Sequence, residues 1–247
     1  MSSFVIDSLP ESAGQYRQSH ALVVVDVFRA TTVVVTALSC GHRVYPVATL
    51  DEAMLVAGHL PNVVFAGEQD GVKPGGFDLN NSPVGVEAIE GSRSIVLLTS
   101  AGTKLLAAAR GASAIYVACL RNLTATTELL VASHTRVALI GAGTRGMPRP
   151  EDQLVCAWIG ERLQSLGWTA ENERTVEEVE RYRGASVQLL RSSPSARYLE
   201  ESDQVGDLEF VLSHVDDVNA VGIFNGQQVS LLPAAAGVAE LAAGDGS

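Results

Sequence analysis

The feature that most constrains this chain is a rhythm. Short runs of β-branched and aliphatic residues recur at 21–27, 44–47, 63–66, 94–98, 115–118 and 137–140, each parted from the next by enough chain for a loop and a helix. Strands joined by helical crossovers pair in parallel, and parallel strands are covered on both faces, so several of these runs are apolar without alternation. The pattern predicts an α/β protein of three layers, α/β/α, built on a largely parallel, mixed sheet. Helix ends are legible too: Thr49 with Glu52 reads as a capping box, and Gly41, Gly58, Gly111 and Gly167 stand where helices should stop. Residues 150–166 predict a surface helix packed on the sheet, with Pro150 in its first turn and Glu151 and Asp152 at its positive dipole end. Its apolar face is Leu154, Val155, Trp158, Leu163 and Leu166. Beyond residue 167 the texture changes: a charged, solvated helix over 171–184, helices from Ser193-Pro194 and over 206–213, and a C-terminal hairpin over 221–231 turning at Asn225-Gly226.

A chain of 247 residues that is 47% hydrophobic can bury a large core, either as one domain over 1–247 or as two packed lobes of about 1–135 and 136–240. Residues 242–247 are expected to fray. The net charge of −11 argues against a nucleic-acid or anionic-membrane surface, because both need a basic footprint. An acidic protein that binds an anion must gather a few arginines and backbone N–H groups in one place. No basic stretch followed by an apolar one opens the chain and no apolar run could span a bilayer, which points to the cytoplasm. Cys40, Cys119 and Cys156 match neither a zinc nor a disulfide pattern and read as small buried hydrophobes. A homodimer is left open.

Open parallel sheets bind ligands beyond the carboxyl ends of their strands. The residues that follow the predicted strands are Asp26 and Arg29, Glu68 and Asp70, 99–103, Arg121 with Asn122, and the glycine loop 141–146 with Asp152 downstream. Asp26 can ligate a metal, attack phosphorus or cap the next helix. Residues 67–83 place Glu68, Asp70, Asp78, Asn80 and Asn81 among glycines and prolines, and such hard oxygen donors suit Mg²⁺. The Thr99-Ser100-Ala101-Gly102-Thr103 stretch opens a helix with small hydroxyl residues, as a phosphate cradle does. Thr144 and Arg145 read as anion ligands on a glycine loop.

Several familiar chemistries fail. The spacing from Asp26 to Thr31 suggests a haloacid-dehalogenase nucleophile motif, which needs a second aspartate where Phe28 stands. The GxGxxG match at 141–146 is followed by Pro148 and Pro150, so no helix can start within the glycines as dinucleotide binding requires. Cys156 and Arg162 have tyrosine-phosphatase spacing, but both fall inside a predicted helix. No GxSxG elbow or Walker A motif occurs, and the five histidines are scattered.

The blocks VVVDVFRATTVVVTAL, GGFDLNNSP, TSAGT and GTRG with ED and CAWI downstream resemble, in order, the motifs of the 2-phosphosulfolactate phosphatase family. The resemblance covers about two thirds of the chain, and the DVFRATT and GFDLNNSP blocks carry most of its specificity. It implies Mg²⁺-dependent hydrolysis of 2-phospho-3-sulfolactate, known from coenzyme M biosynthesis, or of a related small anionic phosphate monoester. On this reading Asp26, Arg29 and Glu68 are catalytic. Asn81, Ser100, Gly102, Thr103, Arg121, Asn122, Thr144 and Arg145 contact substrate or phosphate, and Asp26, Glu68, Asp78 and Asp152 hold Mg²⁺. Arg29, Arg121 and Arg145, each after a different strand, would divide phosphate, carboxylate and sulfonate among them. Ala101 departs from the family, which usually has Asn there. Two other classes stay open: a non-catalytic sensor for an anionic metabolite, which would turn nothing over, and a nucleotide-dependent enzyme using 141–146, which would bind nucleotide.

Overall fold

The computed structural model of the chain describes residues 1–233. The frayed end expected at 242–247 lies outside them. Strand β1 is Ser3–Ser8, followed by helix α1 (Ala13–Tyr16), β2 (Ala21–Val25), α2 (Ala30–Ser39), β3 (Arg43–Val47), α3 (Leu50–Ala57), β4 (Val63–Gly67) and α4 (Pro83–Glu87). Then come β5 (Ser94–Leu98), α5 (Gly102–Ala109), β6 (Ile115–Ala118), α6 (Leu123–Ser133), β7 (Arg136–Gly141) and α7 (Pro150–Ser165). The chain continues with β8 (Thr169–Ala170), α8 (Glu173–Tyr182), α9 (Pro194–Glu201), α10 (Val205–Ser213), β9 (Ala220–Phe224) and β10 (Val229–Pro233).

All ten strands form one mixed sheet in the order β4-β5-β3-β10-β9-β6-β2-β7-β1-β8. Six of the nine pairings are parallel and three antiparallel. The architecture is the expected α/β/α, with β2 showing why: Val23 and Val25 enter one core with α6 to α10, while Leu22 and Val24 enter another with α2, α4 and α5. A smaller third core packs α3 on the far face of β3 and β5.

The hairpin turns where expected, Asn225 Oδ1 accepting the N–H groups of Gln227 and Gln228, but its place in the sheet was not foreseen. It sits in the middle. Because β3-β10, β10-β9 and β9-β6 are all antiparallel, the β3-β4-β5 group runs opposite to the β6-β2-β7-β1 group. The carboxyl ends of the two groups therefore do not share one edge, contrary to the sequence expectation. They are brought together by curvature. β10 meets β3 only at Val229 with Val44, and five steps of strand order separate β2 from β5. At about 20–25° of twist per step the direction turns by more than a right angle. Helix α5, which follows β5, packs on both β3 and β2 and so bridges the two groups.

Two further expectations are corrected. Cys40 is exposed at the end of α2, whereas Cys119 and Cys156 are buried. Helix α7 is an interior helix, not a surface one: α6 and α8 cover it, and Glu151, Asp152, Gln153, Cys156, Ala157 and Gly160 are buried along with its leucines. Leu166, assigned to its apolar face, is instead exposed past its end. Cys156 thereby loses any phosphatase role, since burial holds its thiol well above the ordinary range.

Ala157 tests this placement. Ala157→Glu puts an unpaired charge between α7 and its neighbours and should cost about 3 kcal/mol or more in urea unfolding, where a surface helix would register less than about 0.5 kcal/mol.

Candidate active site

A cleft of about 400 Å³ opens where the two strand groups meet. Asp26, Phe28 and Arg29 reach it from the end of β2; Glu68, Asp70 and Gly71 from β4; Asn81 from the start of α4; Ser100, Ala101 and Lys104 from β5 and α5. Thr144, Arg145 and Arg149 come from the loop after β7, and Pro194, Ser195, Tyr198 and Leu199 from α9.

Carboxylates crowd its floor, each held by N–H groups at the start of a helix or a turn. Asp26 Oδ1 accepts the Ala30 N–H of α2 at 3.3 Å, and the Gly102 N–H of α5 also favours its charged form. Glu68 Oε1 accepts the Ser100 N–H at 2.6 Å, and Oε2 accepts the Gly71 N–H at 2.6 Å and the Ser100 hydroxyl at 2.8 Å. Behind Asp26, Asp152 accepts the N–H groups of Val27 and Gly143 at 2.9 and 3.0 Å. Glu151 beside it is 1% exposed, and its Oε2 has no hydrogen-bond partner among the described residues. Helix starts favour anions, but here burial prevails. Burial, aided by the charges of Glu68 and Glu151, pushes Asp26 up to about 7. Asp152 is raised well above the usual carboxylate range by burial and then by Asp26 and Glu151, and burial raises Glu151 as well.

The helix start expected to cradle phosphate thus serves protein carboxylates instead. The Ser100 N–H belongs to Glu68, and the Thr103 N–H to Thr99 Oγ1 at 3.1 Å, with Thr103 Oγ1 donating back to the Thr99 carbonyl at 2.7 Å. Gly102 lets this happen. A Cβ there would lie 2.5 Å from Ala30 Cβ and 2.7 Å from Asp26 Oδ2, so only glycine allows the starts of α2 and α5 to approach each other.

The cleft gathers Asp26, Arg29, Glu68, Asp70, Asn81, Ser100, Ala101, Thr144 and Arg145 of the residues singled out in sequence. Others stand apart. Asp78 is exposed and its Oδ2 accepts the Phe65 N–H at 2.8 Å, shielding the edge of β4. Arg121 is held by Asp217 at 3.0 and 2.6 Å and by Thr36 at 2.9 Å, with its guanidinium over Phe210. Asn122 is wholly buried, binding the Cys119 N–H and the carbonyls of Val117 and Ala220. Neither lines the cleft. The cations that do, besides Arg29 and Arg145, are Lys104 and Arg149, which sequence reasoning passed over. Both carried a signal: Lys104 directly follows the TSAGT stretch, and Arg149 stands between prolines just before α7. Ser195 and Tyr198 carried none, since α9 lies outside the strand rhythm. Helix α7 does begin separately from the glycine loop, at Pro150.

Carboxylates and cations that line one cleft suit a phosphate ester, and relatives of the chain agree. The model of the 2-phosphosulpholactate phosphatase family matches residues 7–227. The chain belongs to this family. It is a phosphoric monoester hydrolase, an assignment that rests on the same match and on its relatives. A protein of Pseudothermotoga lettingae described as a probable 2-phosphosulfolactate phosphatase is 34% identical over 218 residues, 87% of this chain and 93% of its own. Those of Thermotoga petrophila and Carboxydothermus hydrogenoformans, described in the same words, are 38% and 32% identical. The first covers 76% of this chain and 82% of its own, the second 75% and 74%. Among the described residues no helix is long and apolar enough to cross a membrane.

Gly102→Ala tests the closeness of the two helix starts. It should cost about 1–3 kcal/mol of stability by overpacking, and on the order of 100-fold in kcat, because a shift of about 1 Å in a reacting group has that effect. A kcat within twofold of wild type would show that the contact does not set the geometry of the site.

Proposed function

We propose that this chain hydrolyses 2-phospho-3-sulfolactate, or a related 2-hydroxy acid phosphate, with the help of Mg²⁺. The observation that carries the proposal is the cleft itself, which is lined by the buried carboxylates of Asp26 and Glu68 together with Arg29, Lys104, Arg145 and Arg149. A substrate bearing phosphate, carboxylate and sulfonate presents three anionic groups for these four cations to meet. The relatives' names support the choice.

The donor set fits a hard dication. Asp26 is held up near 7 by burial and by other carboxylates, and Glu151 Oε2 has no hydrogen-bond partner among the described residues, so the negative charge at the floor of the cleft is under-compensated. No three His, Cys, Asp or Glu side chains among the described residues form a ready cage, but Mg²⁺ needs only one or two carboxylates with water and substrate phosphate. Asp26 and Glu68 would hold it, backed by Asp152; Asp78 is not of this group. Bound there, Mg²⁺ supplies Lewis-acid polarisation of a phosphoryl oxygen. Lys104 and Arg145 have no ion-pair partner among the described residues and are exposed, so they meet the oxygens of the transferring phosphoryl group, whose stabilisation is mainly positioning and electrostatics. Phe28, Tyr198 and Leu199 supply the apolar part of the cleft lining. Ala101, without the polar side chain usual in the family, narrows the donors available on the α5 side. The reading places the reaction in the cytoplasm and, where the host makes it, in coenzyme M biosynthesis.

Phosphate release from 2-phospho-3-sulfolactate and 2-phospholactate, with Mg²⁺ and with EDTA, tests the proposal. Turnover should require the metal. Arg145→Met and Lys104→Met should each lower kcat/KM by roughly tenfold to a hundredfold, the worth of one charge-assisted hydrogen bond, while Arg121→Met leaves KM unchanged. A cation that serves the sulfonate should raise KM for phosphosulfolactate alone, since a remote anion is held alike in ground and transition states. Turnover that persists in EDTA would remove the metal from the proposal, and no release from any 2-hydroxy acid phosphate would remove the substrate class.

A further inference from the structure

Arg29 lines the cleft yet is only 3% exposed, and the family reading gives no account of what holds it. Its Nη1 donates to Asp207 Oδ2, and Asp207, itself 5% exposed, lies 178 positions away on α10. The other Asp207 oxygen, Oδ1, accepts the Ser82 hydroxyl at 2.6 Å. Ser82 in turn caps α4 by accepting the Gly85 N–H at 2.9 Å. One carboxylate therefore joins the turn after β2, the start of α4 and helix α10. Two more bonds fasten the same wall to the loop at 67–83: Tyr198 Oη to the Gly71 carbonyl at 2.7 Å, and Asn80 Nδ2 to Gln204 Oε1 at 2.8 Å. Gly71 gives its own N–H to Glu68, so the wall made by α9 and α10 is tied to the carboxylate floor as well.

We propose that Asp207 is a positioning residue of this phosphatase: from the α9–α10 wall it fixes the Arg29 guanidinium with its remaining donors toward the anion in the cleft. The proposal rests on the reading of that cleft as a phosphate site. Arginine has five N–H donors in a rigid fork, and no partner for Arg29 other than Asp207 is found among the described residues. Without a partner the long side chain would be free to reorient. Fixing it in advance removes that freedom before substrate arrives, which favours the step in which phosphoryl charge is redistributed. The arrangement has a cost in binding, because the carboxylate competes with the substrate anion for the same cation.

That competition gives a signature which a merely structural residue would not produce. Asp207→Asn should lower kcat about tenfold or more, as loss of a charge-assisted contact in the transition state does. The same change should tighten inorganic phosphate severalfold in calorimetry, because Arg29 loses the carboxylate that it contacts directly and that competes with the ligand. Both effects should vanish in the Arg29→Met background, where Asp207 has nothing to position. Should Asp207→Asn fail to fold, Ser82→Ala, which removes one of the two bonds that orient the carboxylate, should show a smaller fall in kcat in the same two backgrounds. An unchanged or weaker phosphate affinity in Asp207→Asn, or for either variant an equal loss with and without Arg29, would overturn the proposal. If wild-type protein binds no phosphate, the reading of the cleft falls first and the positioning role with it.

Discussion

The structure depends on placing several carboxylates together out of water, with Arg29 near Glu68 and Arg149 near Glu151 as the cations they feel. An isolated buried carboxylate is so unfavourable that it normally takes up a proton or a partner. Here Asp26, Glu68 and Asp152 are made tolerable by N–H groups at the starts of α2 and α5 and in the turns after β2, β4 and β7. Those contacts do not cancel the burial, and Asp26 stays near 7. The site stores an electrostatic demand that a cation can meet. Protein stability is given up for that readiness, as it commonly is at active sites.

The demand also explains the topology. Because the β3-β4-β5 group runs opposite to the β6-β2-β7-β1 group, a flat sheet would bring the carboxyl ends of β2 and β7 to the cleft but leave those of β4 and β5 on the far edge. Inserting the β9–β10 hairpin between the two groups joins them by thin pairings, one residue pair between β10 and β3 and two between β6 and β9. The sheet can then curl around α2 and α5 until Glu68 and Ser100 face Asp26. Gly102 is the point of closest approach, and its missing side chain is what lets the curl close.

What could be read from sequence follows from how local each determinant is. The six apolar runs became strands because burial on both faces demands such runs, but β1 was missed because Asp7 and Ser8 interrupt its pattern, and β8 because two residues carry none. Strand order was illegible: nothing local tells a hairpin to enter the middle of a sheet. Helix α7 was misplaced because Glu151, Asp152 and Gln153 look like a solvent face, whereas the interior they occupy is itself polar. Asp26, Glu68 and Arg145 could be found because they directly follow strands. Arg121 follows one too, but Asp217, 96 residues on, captures its guanidinium, and no rule of spacing foresees that.

The most direct test is the stability of the protein without divalent cations as a function of pH, wild type against Asp26→Asn. With a folded value near 7 and an ordinary value of 3.8, Asp26 keeps its proton in the folded state after the unfolded chain has released it. The contribution of Asp26 to stability should therefore be fully present below about pH 4, fall as pH rises to about 7, and level off above it. Asp26→Asn cannot ionise at this position, so its melting temperature should draw ahead of wild type across that window and stay ahead at pH 8. If instead the variant is less stable than wild type at pH 8, the Asp26 charge is already compensated within the protein, and the under-compensated carboxylate floor on which this account rests does not exist.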